Sequence, residues 1–279
     1  MRFWGMFRFT VVEAMRRGTL VFYFAISNIV LLLLALGISH PVNEPDIITI
    51  FGKPLARLSQ IGLNVVDFLL IQLHSLSIFW IMIFGMFGVA GLIPSMLEKG
   101  TIDLFLSKPL ARAELLMARA LGAVSGIALN LIYFFLGVWL IFGLKVGVWH
   151  SGFLSSIIYV VYAFVCFFSV VTFVGLITKS AGFTIMLAFV FSIISWGLEV
   201  RENGLYKIWD NVVYHRFLDA LYYLTPQLNA MLENSTRVIG KLPYIPNAPD
   251  FTFMPFVYSF FSTCLLYLLS IWYFSRQDY

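Results

Sequence analysis

Asp67 and His74 stand seven residues apart in a long apolar run, a spacing that sets a carboxylate and an imidazole on one face of a helix. Such a pair can move protons or supply two ligands to a metal ion. Ionisable groups at membrane depth are rare and usually functional, so a membrane-embedded enzyme or a secondary transporter built on Asp67 and His74 is one reading. The rest of either machine is missing from the sequence. No nucleophile is spaced against a base, the patterns G-x-G-D and G-x-S-x-G do not occur, and the apolar runs lack the paired charges of an ion-coupled carrier. His40, His150 and His215 lie in other segments, and Cys166 and Cys264 each sit within an apolar run, so neither metal-ligand spacing nor a disulfide framework emerges. His74, with Gln72 and Ser77 nearby, reads first as a histidine bonded to a neighbouring helix and second as part of a transport path. Asn28, Gln72, Ser192 and Glu199 are the other polar residues that a path would use, and Glu199 reads as readily as an ordinary charge just past its run.

These residues must be positioned by a membrane-buried bundle. The 279 residues are 61% hydrophobic and 11% charged, whereas a soluble domain carries about 25% charged residues. A water-facing surface could not be covered. The net charge of +4 does not imply nucleic acid, because the basic residues are scattered between apolar spans, where flanking charges belong. A spanning helix needs about 20 mostly apolar residues. Six stretches qualify, at 20–38, 65–93, 118–142, 153–178, 182–198 and 253–274. The expected fold is therefore an all-α integral membrane protein with six transmembrane helices forming a single domain over 1–279.

With the N-terminus inside, ten of the 18 Lys and Arg fall in short inner segments and eight in longer outer ones, which favours both termini in the cytoplasm. Residues 1–18 read as a helix lying on the inner surface, with Arg2, Glu13, Arg16 and Arg17 on one face and Phe3, Trp4, Phe7, Val11 and Ala14 on the other. A cleaved signal peptide ending near Ala35–Gly37 is the competing reading; the long leading segment and the 19-residue apolar core oppose it. The outer region 199–252 is too long for a turn, and its stretch HRFLDALYYLTPQLNAML reads as amphipathic helix broken at Pro226, with Tyr222 and Tyr223 at an interface.

Small residues mark the seams between spans. Ala118, Gly122, Gly126 and Asn130 recur every four residues, a stripe that lets helix backbones approach, with Asn130 able to bond across. Gly85, Gly88 and Gly91 suggest the same at the inner end of the second span, and Thr184, Ala188 and Ser192 share one face of the fifth.

The inner segment 94–117 concentrates charges that the rest of the chain avoids. Gly100 can end the helix that leaves the membrane, Thr101 can cap a short helix, and Asp103 suits its first turn. Ile102, Leu104, Phe105 and Leu106 give that helix an apolar surface in a segment that faces water. Lys108-Pro109 breaks it, and Pro109 opens the next helix. The same KPLAR stands at Lys53–Arg57 on the opposite membrane face, where the shared sequence reflects only the same local preference for a proline-led helix start.

The run Glu98, Gly100, Thr101, Leu104, Leu106, Pro109, Arg112, Glu114, Leu115 resembles the signature of ABC-2-type transporter permeases, and the ending with Phe274, Arg276 and Asp278 is similar to that family's C-terminus. Within the family, the permease associated with maturation of a copper enzyme, nitrous oxide reductase, shares an outer Phe-Gly-basic pattern like Phe51, Gly52, Lys53, Ala56 and Leu58. Where the family often has Ser, this chain has Ala111, which cannot supply the capping hydroxyl that would pair with Glu114.

The resemblance implies a coupling helix in 94–117 seated in a groove of a separate ATP-binding subunit, two copies of which drive two permease copies as a homodimer. The path would lie where spans one, two and five of the copies meet, and Thr184, Ala188 and Ser192 would face that interface. Glu98, Gly100, Thr101, Asp103, Leu104, Leu106, Pro109, Arg112 and Glu114 would carry the coupling. The chain itself has no G-x-x-x-x-G-K followed by Ser or Thr and no G-x-G-x-x-G after a strand. It is therefore expected to bind no cofactor, with ATP and Mg on the partner chain, and to be a transport subunit of the bacterial inner membrane in contact with lipid and not with nucleic acid.

Overall fold

The computed structural model describes residues 2–16, 18–39, 49–54, 65–106, 111–240 and 250–277. Its helices are α1 Arg2–Arg16, α2 Gly18–Gly37, α3 Val65–Val89, α4 Leu92–Met96, α5 Thr101–Leu106, α6 Arg112–Val146, α7 Ser151–Thr178, α8 Ala181–Glu199, α9 Val212–Leu224, α10 Leu228–Arg237 and α11 Met254–Arg276. Helices are the economical answer for such a sequence, because each satisfies its own backbone polar groups without water. Three two-residue strands, β1 Ile38–Ser39, β2 Thr49–Ile50 and β3 Lys53–Pro54, form an antiparallel sheet in the order β1-β2-β3. The turn between β2 and β3 is Phe51-Gly52, both at positive φ (49° and 75°), as a two-residue hairpin requires. Lys53-Pro54 is thus strand, which corrects the expectation that the first KPLAR opens a helix.

Five of the helices, α2, α6, α7, α8 and α11, are long and apolar enough to cross a membrane. The second predicted span is a continuous 25-residue helix, α3. It ends at Val89 rather than Ile93, because the chain turns at Ala90-Gly91 before the short α4. The third predicted span is longer than expected. α6 runs 35 residues to Gly147, where a left-handed φ of 76° stops it. At 1.5 Å per residue that is about 52 Å, well beyond a hydrocarbon core of about 30 Å.

α6 and α7 form the centre. Phe135, Phe142, Phe153, Phe164, Phe167 and Phe168 are completely enclosed between them and their neighbours. α6 packs against α1, α2, α3, α7 and α11, and α7 against α8, α10 and α11. His150 starts α7 by accepting the Phe153 amide on Nδ1 at 3.1 Å, and its Nε2 lies 3.3 Å from Asp67, tying the far end of α3 to α7. Pro226 separates α9 from α10, and the Gln227 amide donates to Ser259 Oγ at 2.9 Å on α11.

α1 is anchored to the protein along one stripe. Met6, Thr10 and Ala14 are buried, at i, i+4 and i+8, while Phe3, Trp4, Phe9, Val12 and Met15 are exposed. The reason is the small-residue stripe on α6: Gly122 leaves room for Thr10, whose Cβ would lie 2.6 Å from a Cβ added there, and Gly126 sits against Ala14 and Leu20. Helix contact, rather than the lipid surface alone, fixes α1.

Gly122→Val should overpack this seam and cost about 1–3 kcal/mol, read as a lower unfolding temperature in detergent. Gly182→Ala, where an added Cβ meets nothing within 4 Å, serves as the control and should not lower it. Equal unfolding temperatures for Gly122→Val and the parent would contradict the close approach of α1 and α6.

Candidate coupling site

Between α3 and α6 the chain builds a compact knob. α4 is pressed into the protein, with Leu92, Ile93 and Met96 fully enclosed. Glu98, Lys99 and Gly100 then emerge on the surface. The Glu98 carbonyl accepts the Thr101 and Ile102 amides, both at 3.1 Å, and Gly100 takes φ +85°. Thr101 is the first residue of α5 rather than its cap. The cap is made from the other side: the Asp103 carboxylate accepts the Gly100 amide at 3.3 Å, which is the return half of a capping box.

The apolar surface of α5 is divided. Ile102 and Phe105 turn inward, 3% and 4% exposed, so they do not present a docking face as expected. Asp103 stays exposed. The side chains of Leu104 and Leu106, and all of Pro109, lie outside the described residues.

Phe105 packs under Arg119, whose guanidinium carbon is 5.5 Å from its ring centre, and edge-on to Phe9 of α1 at 6.0 Å. Arg119 is 1% exposed. It pairs with Glu13 of α1 and donates to the Leu92 carbonyl of α4 at 2.9 Å. One side chain therefore holds α1, α4, α5 and α6 together. Sequence reasoning counted Arg119 only as a charge flanking a span; the signal that could have found it was its place next to Ala118 and one turn before Gly122, on the buried side of α6.

At the start of α6, Ala111 offers no hydroxyl, yet Glu114 still accepts the Ala111 amide at 3.4 Å. Only the Glu114 half of the box is made. Arg112 turns away and donates to the carbonyls of Phe274 (3.1 Å), Ser275 (3.2 Å) and Gln277 at the end of α11. The inner-segment motif and the C-terminal motif, far apart in sequence, are thereby one contact. Lys179 Nζ adds a bond to Gln277 at 3.3 Å.

The polar residues of the spans are mostly committed to neighbouring helices. His74 is fully buried, with Nε2 2.9 Å from Ser235 Oγ of α10 and Nδ1 3.3 Å from Ser156 Oγ of α7, and it meets the stacked rings of Phe135 and Phe153 edge-on. Asp67 faces His150 at 3.3 Å, so Asp67 and His74 each bond a different partner. Asn28 accepts from Tyr133 at 2.7 Å and donates to Phe24. Gln72 is exposed. Ser192 borders a groove of about 260 Å³ with Ser75, Phe79, Met86, Phe189 and Asn229. Thr184 and Ala188 are enclosed within the protomer, Thr184 bonding Thr178 at 3.1 Å, so they do not line a surface for a second copy. Gly85 and Gly88 abut Phe164 and Leu20, while Gly91 is in the turn before α4. Asn130, 3% exposed, has no hydrogen-bond partner among the described residues. No cluster of three metal-ligating side chains occurs among the described residues.

A family model described as ABC-2 family transporter protein matches residues 28–279. The chain belongs to the ABC-2 transporter family. It is a multi-pass membrane protein of a family of transport subunits that generally work with an ATP-binding partner. The match does not single out the copper-enzyme branch, two of whose marker positions, Ala56 and Leu58, lie outside the described residues. No curated protein matched the chain.

At the opposite end of this ABC-2 subunit, Glu199 accepts from Tyr222 at 2.9 Å, and Arg201 stacks 3.9 Å above the Tyr222 ring. Arg201 Nε donates to Asp219 at 2.8 Å and the Tyr206 hydroxyl to the same oxygen at 2.6 Å. The Tyr206 hydroxyl, then Arg201, hold the Asp219 carboxyl below its usual range, with a smaller pull from His215.

Two outcomes follow from these pairs. Arg119→Met leaves Glu13 facing an apolar neighbour and should cost about 3 kcal/mol, less than a fully buried pair because Glu13 is 27% exposed. The double variant with Glu13→Gln should recover part of that loss in thermal unfolding; strict additivity would show that the two side chains do not interact. Asp219, depressed in the folded state, stabilises above about pH 4 and loses that contribution as pH falls through its folded value. Amide protection factors across 212–224, normalised for the intrinsic pH dependence of exchange, should therefore fall on acidification in the parent and change less in Asp219→Asn.

Proposed function

We propose that this chain is the membrane subunit of an ATP-driven exporter and receives mechanical work through α4, α5 and the start of α6 from a separate ATP-binding subunit. Two copies pair as a homodimer with two such subunits in a bacterial inner membrane, with both termini in the cytoplasm. α3, at about 37 Å, completes the set of six as the second span. ATP and Mg belong to the partner, because this sequence has no phosphate-cradling loop.

The observation that carries the reading is the Arg119 node. A helix of six residues cannot hold its shape alone in water, yet α5 is fixed through Phe105 to a buried cation of α6 that also grips α1 and α4. Force applied at Glu98–Asp103 is then delivered to a 35-residue helix that crosses the whole bilayer. The contact of Arg112 with the end of α11 supports the same reading, since it makes the sixth span move with the third. The groove bordered by Ser75, Ser192 and Asn229 lies between α3, α8 and α10, where the path between copies is expected.

Replacing Leu104 and Leu106 by Asp should abolish co-purification with the ATP-binding subunit and ATP-dependent transport, while the variant still inserts and unfolds near the parent temperature. Retained binding with full coupling would defeat this assignment of the docking surface.

A further inference from the structure

One amide of the spans is left with its bonds unmade. Asn130 of α6 is 3% exposed, and neither its Oδ1 nor its Nδ2 finds a partner among the described residues. A carboxamide can donate twice and accept twice, and in a bilayer core there is no water to satisfy it. Buried polar groups in folded proteins are nearly always bonded, so this one calls for a partner from outside the chain.

Asn130 lines a groove of about 410 Å³ between α1, α2 and α6, together with Met15, Val21, Phe24, Ala25 and Leu129. Met15, Val21 and Leu129 are each more than half exposed. Val21 and Leu129 stand on spanning helices, so the groove opens sideways into lipid. It is separate from the groove beside Ser192, which α3, α8 and α10 enclose.

Its depth says which part of a lipid it meets. The first turn of α2 reaches α6 at Gly126, where an added Cβ would lie 3.2 Å from Leu20. Asn130 is one turn further on, about 6 Å deeper. From Asn130 to Lys145, which closes the far end of α2, the rise is about 22 Å. Within a hydrocarbon core of about 30 Å, the amide therefore stands close beneath the headgroups of the leaflet on the coupling side. Ester carbonyls are the polar groups that a phospholipid brings to this level. On the deep side Phe24 stacks on Tyr133 at 4.7 Å, and the Tyr133 hydroxyl donates to Asn28 at 2.7 Å. On the shallow side Met15 shares a face of α1 with Val12 and Arg8. Arg8, Val12 and Arg16 border a second hollow on the same helix, whose acidic member, Glu13, is engaged by Arg119. Arg8 and Arg16 are exposed, and guanidinium groups at this level suit a lipid phosphate.

We propose that the groove between α1, α2 and α6 seats one phospholipid of the leaflet on the coupling side. An ester carbonyl of that lipid accepts a hydrogen bond from Asn130 Nδ2, an acyl chain lies along Val21 and Leu129, and the phosphate rests beside Arg8 and Arg16. The lipid is then a structural part of the seam that joins α1 and α2 to α6, apart from any transport path.

Native mass spectrometry of the full-length protein, stripped of lipid in detergent and titrated with phosphatidylglycerol, tests this. In the parent, one lipid per chain should bind ahead of the rest. Asn130→Leu should weaken that first binding about fivefold, as loss of one hydrogen bond does. Ala25→Trp, which fills the groove from its exposed lip, should abolish it, whereas Leu33→Trp, exposed elsewhere on α2, should not change it. Phosphatidylglycerol should also raise the unfolding temperature less in Asn130→Leu than in the parent. Equal first-site affinity and an equal thermal response in the parent and Asn130→Leu would overturn the proposal in favour of an amide that takes no ligand. Lost pairing between copies in Ala25→Trp, with lipid binding intact, would overturn it in favour of contact with a second copy. The pair Arg8→Gln and Arg16→Gln should remove the preference for phosphatidylglycerol over phosphatidylcholine; an unchanged preference would overturn the placement of the phosphate. None of these outcomes depends on whether an ATP-binding subunit docks on α5.

Discussion

Carbonyls at a helix end have no partner within their own helix, and in a membrane protein water is not there to supply one. Much of this architecture answers that constraint with cations from a single element. α6 has three basic residues, Arg112, Arg119 and Lys145, and each donates to the backbone of a different neighbour. Arg112 closes the end of α11, Arg119 reaches Leu92 of α4, and Lys145 closes α2 through Ala35 and Ile38. At the ends of α11 and α2 the favourable interaction of a cation with the negative end of a helix dipole adds to the bonds of Arg112 and Lys145. Charges that would be costly in a lipid-immersed helix are thus placed where orphaned carbonyls need them.

Packing then makes these bonds specific. Arg119 can meet Glu13 because Gly122 and Gly126 let α1 approach α6 closely; a larger residue at either position would move the carboxylate away. The same logic holds around His74, where Ser156 and Ser235 come from separate helices and no acidic group intervenes. Their hydroxyls also bond the Phe153 and Leu232 carbonyls, so the imidazole is set in a network of local backbone contacts. The coupling knob is rigid because its residues are shared, through Phe105 and Leu92, with the body of the bundle.

Hydropathy made the spans legible, since twenty apolar residues leave little alternative to a helix that crosses a bilayer. It could not show where α3 stops, because Ala90-Gly91 is as apolar as what surrounds it and the turn comes from tertiary packing of α4. The coupling segment was legible by its charges and by its motif, but the inward turn of Ile102 and Phe105 depends on Arg119, and no spacing rule ties residue 105 to residue 119. The stripe by which α1 meets the protein was not legible, because the small residues of a distant helix select Met6, Thr10 and Ala14. Glu199, a candidate path residue, accepts from Tyr222, and Asp67, read with His74 as a chemical pair, faces His150.

α6 continues without a break from Arg112 to Val146, so its two extremities belong to one stiff rod. A tilt imposed at the knob has to reappear with opposite sense at Lys145, where the rod grips the last turn of α2. The hairpin of β1 to β3 hangs from that last turn through the Phe51 amide and Gly37 carbonyl, 2.8 Å apart. Under the proposed coupling, such a rod would carry a displacement to the far rim of the bundle with no moving part but itself.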